Sequence, residues 1–130
     1  MVRAFTCEDD IRILVADDDP VMSKFMCTVL RTGGHQPVPA FDCMQALMYA
    51  KKEPVPKAII LDLAMPAGTG LGVLENLQAS FKTAHIPVLV VSGTADEATR
   101  AKALGSGASA FLAKPVAPGD LLSAVAALVA

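Results

Sequence analysis

A doubly wound α/β domain built on a parallel sheet is the fold class this sequence predicts, and three observations predict it. Short apolar runs recur at residues 58–61, 88–91 and 110–113 without a break, and at 11–16 with only Arg12 interrupting. Such runs suit strands covered on both faces, as in a parallel sheet, whereas half-exposed strands alternate. Stretches with helical spacing separate them, so that strand and helix alternate five times. Four of the strands also run into a chemically active side chain: Asp17-Asp18, Asp62, Ser92 and Lys114. The carboxyl ends of parallel strands share one edge, where open α/β sheets bind ligands. Residues far apart in sequence are therefore expected to converge there.

Each element has its local reason. After the first strand, Asp19-Pro20 reads as an N-cap followed by a proline at the first helical position. Val21, Met22, Phe25, Met26, Val29 and Leu30 keep helical spacing until Gly33-Gly34 stops the helix. Residues 37–40, Pro-Val-Pro-Ala, read as a short edge strand, because proline cannot donate to a ladder. A second helix is expected over 42–52 with Ala46, Leu47 and Ala50 inward, then a proline-rich connection over 53–57. The run 58–61 is the third strand. A glycine-bearing loop and a helix over 70–80 follow it. The strand at 86–91 leads to a helix over 95–104, closed by Gly105 and Gly107. The strand at 109–113 leads to a last helix, capped by Asp120 and running to Val129. Met22, Met26, Met44 and Met48 sit at helical spacing and are expected to pack inside.

Composition narrows the function classes. At 130 residues the chain is one domain, with residues 1–10 as a solvated lead-in and 11–130 as the folded unit. It is 53% hydrophobic and 18% charged, which excludes a disordered chain. A net charge of −2 without a basic tract argues against nucleic-acid binding by this chain itself. No apolar run reaches the roughly 18 residues of a membrane span, and the amino terminus lacks a signal-peptide core. Cys7, Cys27 and Cys43 are odd in number and without CxxC spacing. A cytoplasmic location, with core or incidental thiols rather than disulfides or zinc, is the expectation.

Three carboxylates in one cleft repel. At 4 Å and an effective dielectric near 20, one pair costs about 4 kcal/mol. Either one acid stays protonated or a cation neutralises the group. Oxygen-only donors in a partly hydrated site suit Mg2+ or Mn2+. Asp17, Asp18 and Asp62 thus suggest a divalent-metal pocket with room for a phosphoryl group, whose oxygens Ser92 and Lys114 suit by hydrogen bond and by charge.

The pieces ILVADDDP, IILDLAMPAGTG, VLVVSG and AFLAKP stand in order along the chain. With them the sequence resembles the response regulator receiver domain of bacterial two-component systems, from about residue 12 to 129. The resemblance implies a flavodoxin-like sheet in the order 2-1-3-4-5. It implies that Asp62 accepts a phosphoryl group from a histidine kinase or a histidine phosphotransfer protein. By the same resemblance Asp18 is the direct metal ligand, Asp17 holds the metal chiefly through water, and the backbone carbonyl of Ala64 is the third protein ligand. Ser92 and Phe111 are the implied switch residues, Lys114 pairs with the phosphoryl group, and the Lys114–Pro115 bond is cis. The domain then catalyses its own phosphorylation and dephosphorylation as a signalling switch, changing the face of helix 4, strand 5 and helix 5. Ala64 and Thr94 occupy the two positions that govern phosphate lifetime, and neither offers the amide or acid of fast-decaying chemotaxis receivers.

Other readings have less support. A pseudo-receiver, acting as a binding or dimerisation module, is opposed by the intact Asp18, Asp62, Ser92 and Lys114. A haloacid-dehalogenase-like phosphatase needs a second acid where Ala64 stands. In a flavodoxin, a phosphate-binding loop would replace the first acids. Gly68-Thr69-Gly70-Leu71-Gly72 is neither GxGxxG nor a Walker loop, so it is no nucleotide site. His35 and His85 are isolated. The last helix is apolar nearly all round, which points to a homodimer contact, a downstream protein partner or a missing output domain.

Overall fold

The computed structural model describes residues 11–66, 68–93 and 96–130; the expected lead-in and Thr94 lie outside the described residues. Five strands and five helices alternate: β1 (Ile11–Ala16), α1 (Pro20–Thr32), β2 (His35–Ala40), α2 (Cys43–Lys51), β3 (Ala58–Leu61), α3 (Gly70–Ala79), β4 (Val88–Ser92), α4 (Glu97–Gly105), β5 (Ala110–Ala113) and α5 (Pro118–Val129). The sheet is parallel throughout, in the order β2-β1-β3-β4-β5, as expected.

Strand alternation divides the core in two. Ile13, Val15, Ile60, Leu89 and Val91 face α1 and α5, against Met26, Leu30, Leu121 and Val125. Leu14, Ile59, Leu61, Val88 and Val90 face α2, α3 and α4, against Ala46, Leu74, Leu77 and Ala103. Every residue of β3 and β4 is buried, which is why these strands read as unbroken apolar runs.

The edge strand β2 is longer than its prolines suggested, pairing with β1 from Ile11↔His35 to Ala16↔Ala40. The carbonyl of Ala40 accepts from Asp17 N at 3.0 Å, so positions 36, 38 and 40 face β1. Pro37 and Pro39 therefore turn their donor-free nitrogens to the open side, where no ladder bond is lost.

Helix starts follow side-chain caps. Asp19 accepts from Val21 N at 3.0 Å, Asp42 from Gln45 N at 2.7 Å, and Asp96 from Thr99 N at 2.8 Å. The Asp96 cap sets the start of α4 at Glu97; residue 95, where the sequence placed that start, lies outside the described residues. Asp120 does not cap α5. The helix begins at Pro118, whose fixed φ suits the first helical position, and Asp120 lies in the first turn, facing the positive end of the dipole. Ile86 is buried but precedes β4; its N–H goes to Thr83 O at 3.0 Å in the preceding turn, and Pro87 separates it from the strand.

One expectation about packing fails. Met26 is buried and Met22 half-buried, but Met44 and Met48 are 71% and 58% exposed. Helix α2 turns Cys43, Ala46 and Ala50 inward, and their small size lets it lie close to the sheet. Met44 and Met48, four apart, share the opposite face. The apolar surplus of α5 is smaller than its sequence suggests. Leu122, Ala124, Leu128 and Val129 pack half-buried against the α1 side of the core, leaving Ser123, Ala126 and Ala127 outward. Among the described residues, no helix is long and apolar enough to cross a membrane. Cys27 and Cys43 are buried free thiols.

Two substitutions separate the core from the exposed methionines. Leu74→Ala removes a side chain with no exposed surface and is expected to cost about 2–5 kcal/mol in urea unfolding. Met48→Lys is expected to stay within about 0.5 kcal/mol of the parent.

Candidate functional site

Register brings the site together. Ala16 and Leu61 are partners across β1 and β3, so the next residues, Asp17 and Asp62, emerge at one level. The Asp62 N–H donates to Ala16 O at 2.9 Å, which fixes that level. Across β4 and β5, Ser92 is level with Ala113, and Lys114 N donates to Ser92 O at 2.9 Å. The residue after each of β1, β3 and β5, and the last residue of β4, thus line one rim.

The side chains meet there. Lys114 Nζ lies 2.9 Å from Asp17 Oδ2 and 3.3 Å from Asp62 Oδ2. Asp17 is fully buried, and its Oδ1 accepts from Asp19 N at 2.9 Å. Asp62 is 5% exposed, and its Oδ1 accepts from Ala64 N at 3.1 Å. Asp18 is exposed at the mouth. One oxygen from each of the three acids lies within 4.8 Å of the others. Ser92 is buried at the end of β4. Phe111 lies level with Val90 and packs half-buried against the α2–α4 side of the core. The Lys114–Pro115 bond is cis.

Electrostatics follow from this crowding. Burial raises the pKa of Asp62; the Ala64 N–H and the Lys114 charge oppose the rise, and the Asp17 charge adds to it. Burial alone would lower the Lys114 pKa. The hydrogen bond and charge of Asp17, then those of Asp62, outweigh it, and the ammonium is held above its ordinary value. One ammonium against three carboxylates leaves the cleft negative. Three hard oxygen donors with unbalanced charge fit a small dication such as Mg2+.

One contributor was missed in the sequence reading. Gly70 opens α3, and a Cβ there would stand 2.4 Å from Leu63 Cα and 2.9 Å from Asp62 O. Its N–H donates to Leu63 O at 3.1 Å. Only glycine lets the helix press against the backbone that carries Asp62. The loop is held from its other side by Cys43 N donating to Pro66 O at 3.0 Å. Chain position could have drawn attention to this glycine, the first helical residue after an acid-bearing loop; the nucleotide-loop reading considered at that stretch looked for phosphate-cradling amides instead.

The structure predicts a sign for charge removal. Asp62 has a folded pKa above its unfolded value, so its ionised form destabilises the fold. That penalty is absent below the ordinary carboxylate range near pH 4 and complete above the raised value. Asp62→Asn is therefore expected to melt a few degrees above the parent at pH 7, with the gain vanishing near pH 3; equal melting curves at pH 7 would count against a strained carboxylate. Gly70→Ala is expected to cost about 1–3 kcal/mol through displacement of the Asp62–Leu63 backbone, as read by urea unfolding.

Known proteins resemble this chain in sequence and in fold. The family model described as the response regulator receiver domain matches residues 13–126. The phosphate regulon transcriptional regulatory protein PhoB of Escherichia coli (strain K12) is 33% identical over 117 residues, covering 90% of this chain and 51% of that protein. The DNA-binding response regulator MtrA of Mycolicibacterium smegmatis is 34% identical over 116 residues, covering 89% of this chain and 49% of that protein. The chain thus spans about half the length of the curated relatives it matches. Among solved structures, a putative response regulator from Chloroflexus aurantiacus superposes with a TM-score of 0.87 at 26% identity, covering 92% of this chain and 98% of that one.

Proposed function

The chain belongs to the response regulator receiver domain family, and from that premise we propose that it is a phosphoaccepting switch of a two-component phosphorelay, with Asp62 as the acceptor. The observation that carries this reading is the bridging of Asp17 and Asp62 by Lys114, with Asp18 alongside, at the carboxyl edge of the sheet.

In the proposed reaction an Asp62 carboxylate oxygen attacks the phosphorus of a phosphohistidine. The new P–O bond forms as the P–N bond to the imidazole breaks in line. The donor is a histidine kinase or a histidine phosphotransfer protein. Asp17, Asp18, Asp62 and the Ala64 carbonyl would hold a Mg2+ or Mn2+ ion. That ion would neutralise the acids and the incoming phosphoryl oxygens. Lys114, already charged and positioned by Asp17, supplies a cation to the phosphoryl group once it lies on Asp62. Ser92 offers a hydroxyl to the same group. Its movement, with that of half-buried Phe111, is proposed to shift the α4–β5–α5 face between two states.

Output lies with a downstream protein partner or an output domain outside the sequence described. The names of the DNA-binding and transcriptional relatives support the second. A homodimer through α4 and α5 would use Leu104, 37% exposed, and the small residues of α5. The chain's own net negative charge favours protein partners over direct nucleic-acid contact. Residues 11–130 act as one receiver in this reading, and a cytoplasmic site of action accords with it.

Incubation with acetyl phosphate and Mg2+, followed by intact mass, is expected to add one phosphoryl group to the parent and none to Asp62→Asn. Lys114→Met is expected to slow uptake at least about tenfold. An unmodified parent would instead favour a module that binds or dimerises without phosphate. Ala64 and Thr94 offer neither the amide nor the acid that fast-decaying chemotaxis receivers carry at these positions, so a long-lived phosphorylated state is expected. Ala64→Asn should shorten it, and an unchanged decay rate would remove the assignment.

A further inference from the structure

A second concavity lies at the opposite edge of the sheet from Asp62. It is formed by the start of β1, the outer strand β2, the end of α2 and the connection into β3, and holds about 170 Å³. A volume near 150 Å³ accommodates a benzene ring. Leu14, Val38 and Pro54 give it apolar walls, and Tyr49 gives it an aromatic ring with a polar tip. Two cations, Arg12 and Lys52, share its lining.

Charge in this pocket is one-sided. Among the described residues, no carboxylate lies within ion-pair distance of Arg12 or Lys52. The acid next in sequence, Glu53, is turned to Lys82 at 3.5 Å. The adjacent Lys51 is engaged elsewhere, donating to Asn76 Oδ1 at 2.8 Å. Arg12 is half-buried on the strand, so its guanidinium has a fixed root. A small apolar hollow with a few convergent polar groups is the usual form of a ligand site. A guanidinium and an ammonium without an acid between them select an anion.

We propose that this pocket binds a small carboxylate with a compact apolar body, of the size and shape of an aromatic monoacid. The ring lies between Leu14, Val38 and Pro54, and the carboxylate meets Arg12 and Lys52. The site is separate from the acidic rim: one end of the sheet carries positive charge for a carboxylate, the other negative charge for a cation. It does not depend on phosphorylation of Asp62.

The test uses the full chain, sodium benzoate as probe and benzamide as its neutral isostere, followed in amide proton–nitrogen spectra at low salt. Benzoate is expected to give saturable millimolar shifts at Leu14, Val38 and Tyr49, with benzamide at least about tenfold weaker. Arg12→Gln and, independently, Lys52→Met are expected to weaken benzoate while leaving benzamide unchanged. Lys52 is exposed, so its variant retains the fold even if Arg12→Gln disturbs β1. Equal response to the two probes, indifference to both substitutions, absence of saturation, or shifts centred on Asp62 and Lys114 would each overturn the proposal. Phosphoryl uptake, measured separately, is expected to be unaffected by Lys52→Met, so failure here and failure of the switch reading are distinguishable.

Discussion

The constraint on which the rest of this structure depends is like charge held in place by strand register. Asp17 has no exposed surface and Asp62 almost none, yet their carboxylates share one ammonium. An ion pair buried without further partners would be poorly stabilised. Here the remaining oxygens take backbone N–H groups from Asp19 and Ala64, so each acid is fixed by its own following turn. The arrangement holds the site for a cation while leaving excess negative charge. Stability is given up where three acids are held together, and the two apolar layers supply it elsewhere.

Lys114 links that charge to the sheet. Its main chain is tied to the end of β4 and its side chain to the ends of β1 and β3. Any group that competes for the ammonium therefore acts on a residue whose backbone is bonded beside Ser92. The glycine opening α3 works at the other side of the rim. By letting a helix lie against the Asp62–Leu63 backbone, it restricts where the carboxylate can go. Tight helix contact, rather than a side-chain bond, sets one wall of the cleft.

Much of this was legible in the sequence, and the misses have physical reasons. Fully buried parallel strands leave a strong mark, because both faces must be apolar; hence Ala58–Leu61 with Asp62 after it. The rim followed, since parallel strands put their ends together. Helix faces were harder. In α2 the four-residue spacing of Met44 and Met48 suits either side, and small Cys43, Ala46 and Ala50 won the inward face by close approach. Spacing does not say which stripe is the closer fit. In α5 apolar content exceeded what a simple stripe requires, but contact with both sheet and α1 uses more of the helix than one face. The stronger contact of Lys114 with Asp17 than with Asp62, and the steric role of Gly70, depend on distances that no pattern encodes.

The prolines of β2 carry a consequence for how copies of this molecule can associate. A strand arriving from another chain at that border would seek amide hydrogens at positions 37 and 39, and neither residue has one. Template-driven growth of the sheet is hindered on that flank by covalent structure, because two of the three outward-facing residues lack an amide hydrogen. The far flank is a strand of only four residues. Assembly through this fold is thereby steered toward helical surfaces, and fibril-like addition has little purchase on it.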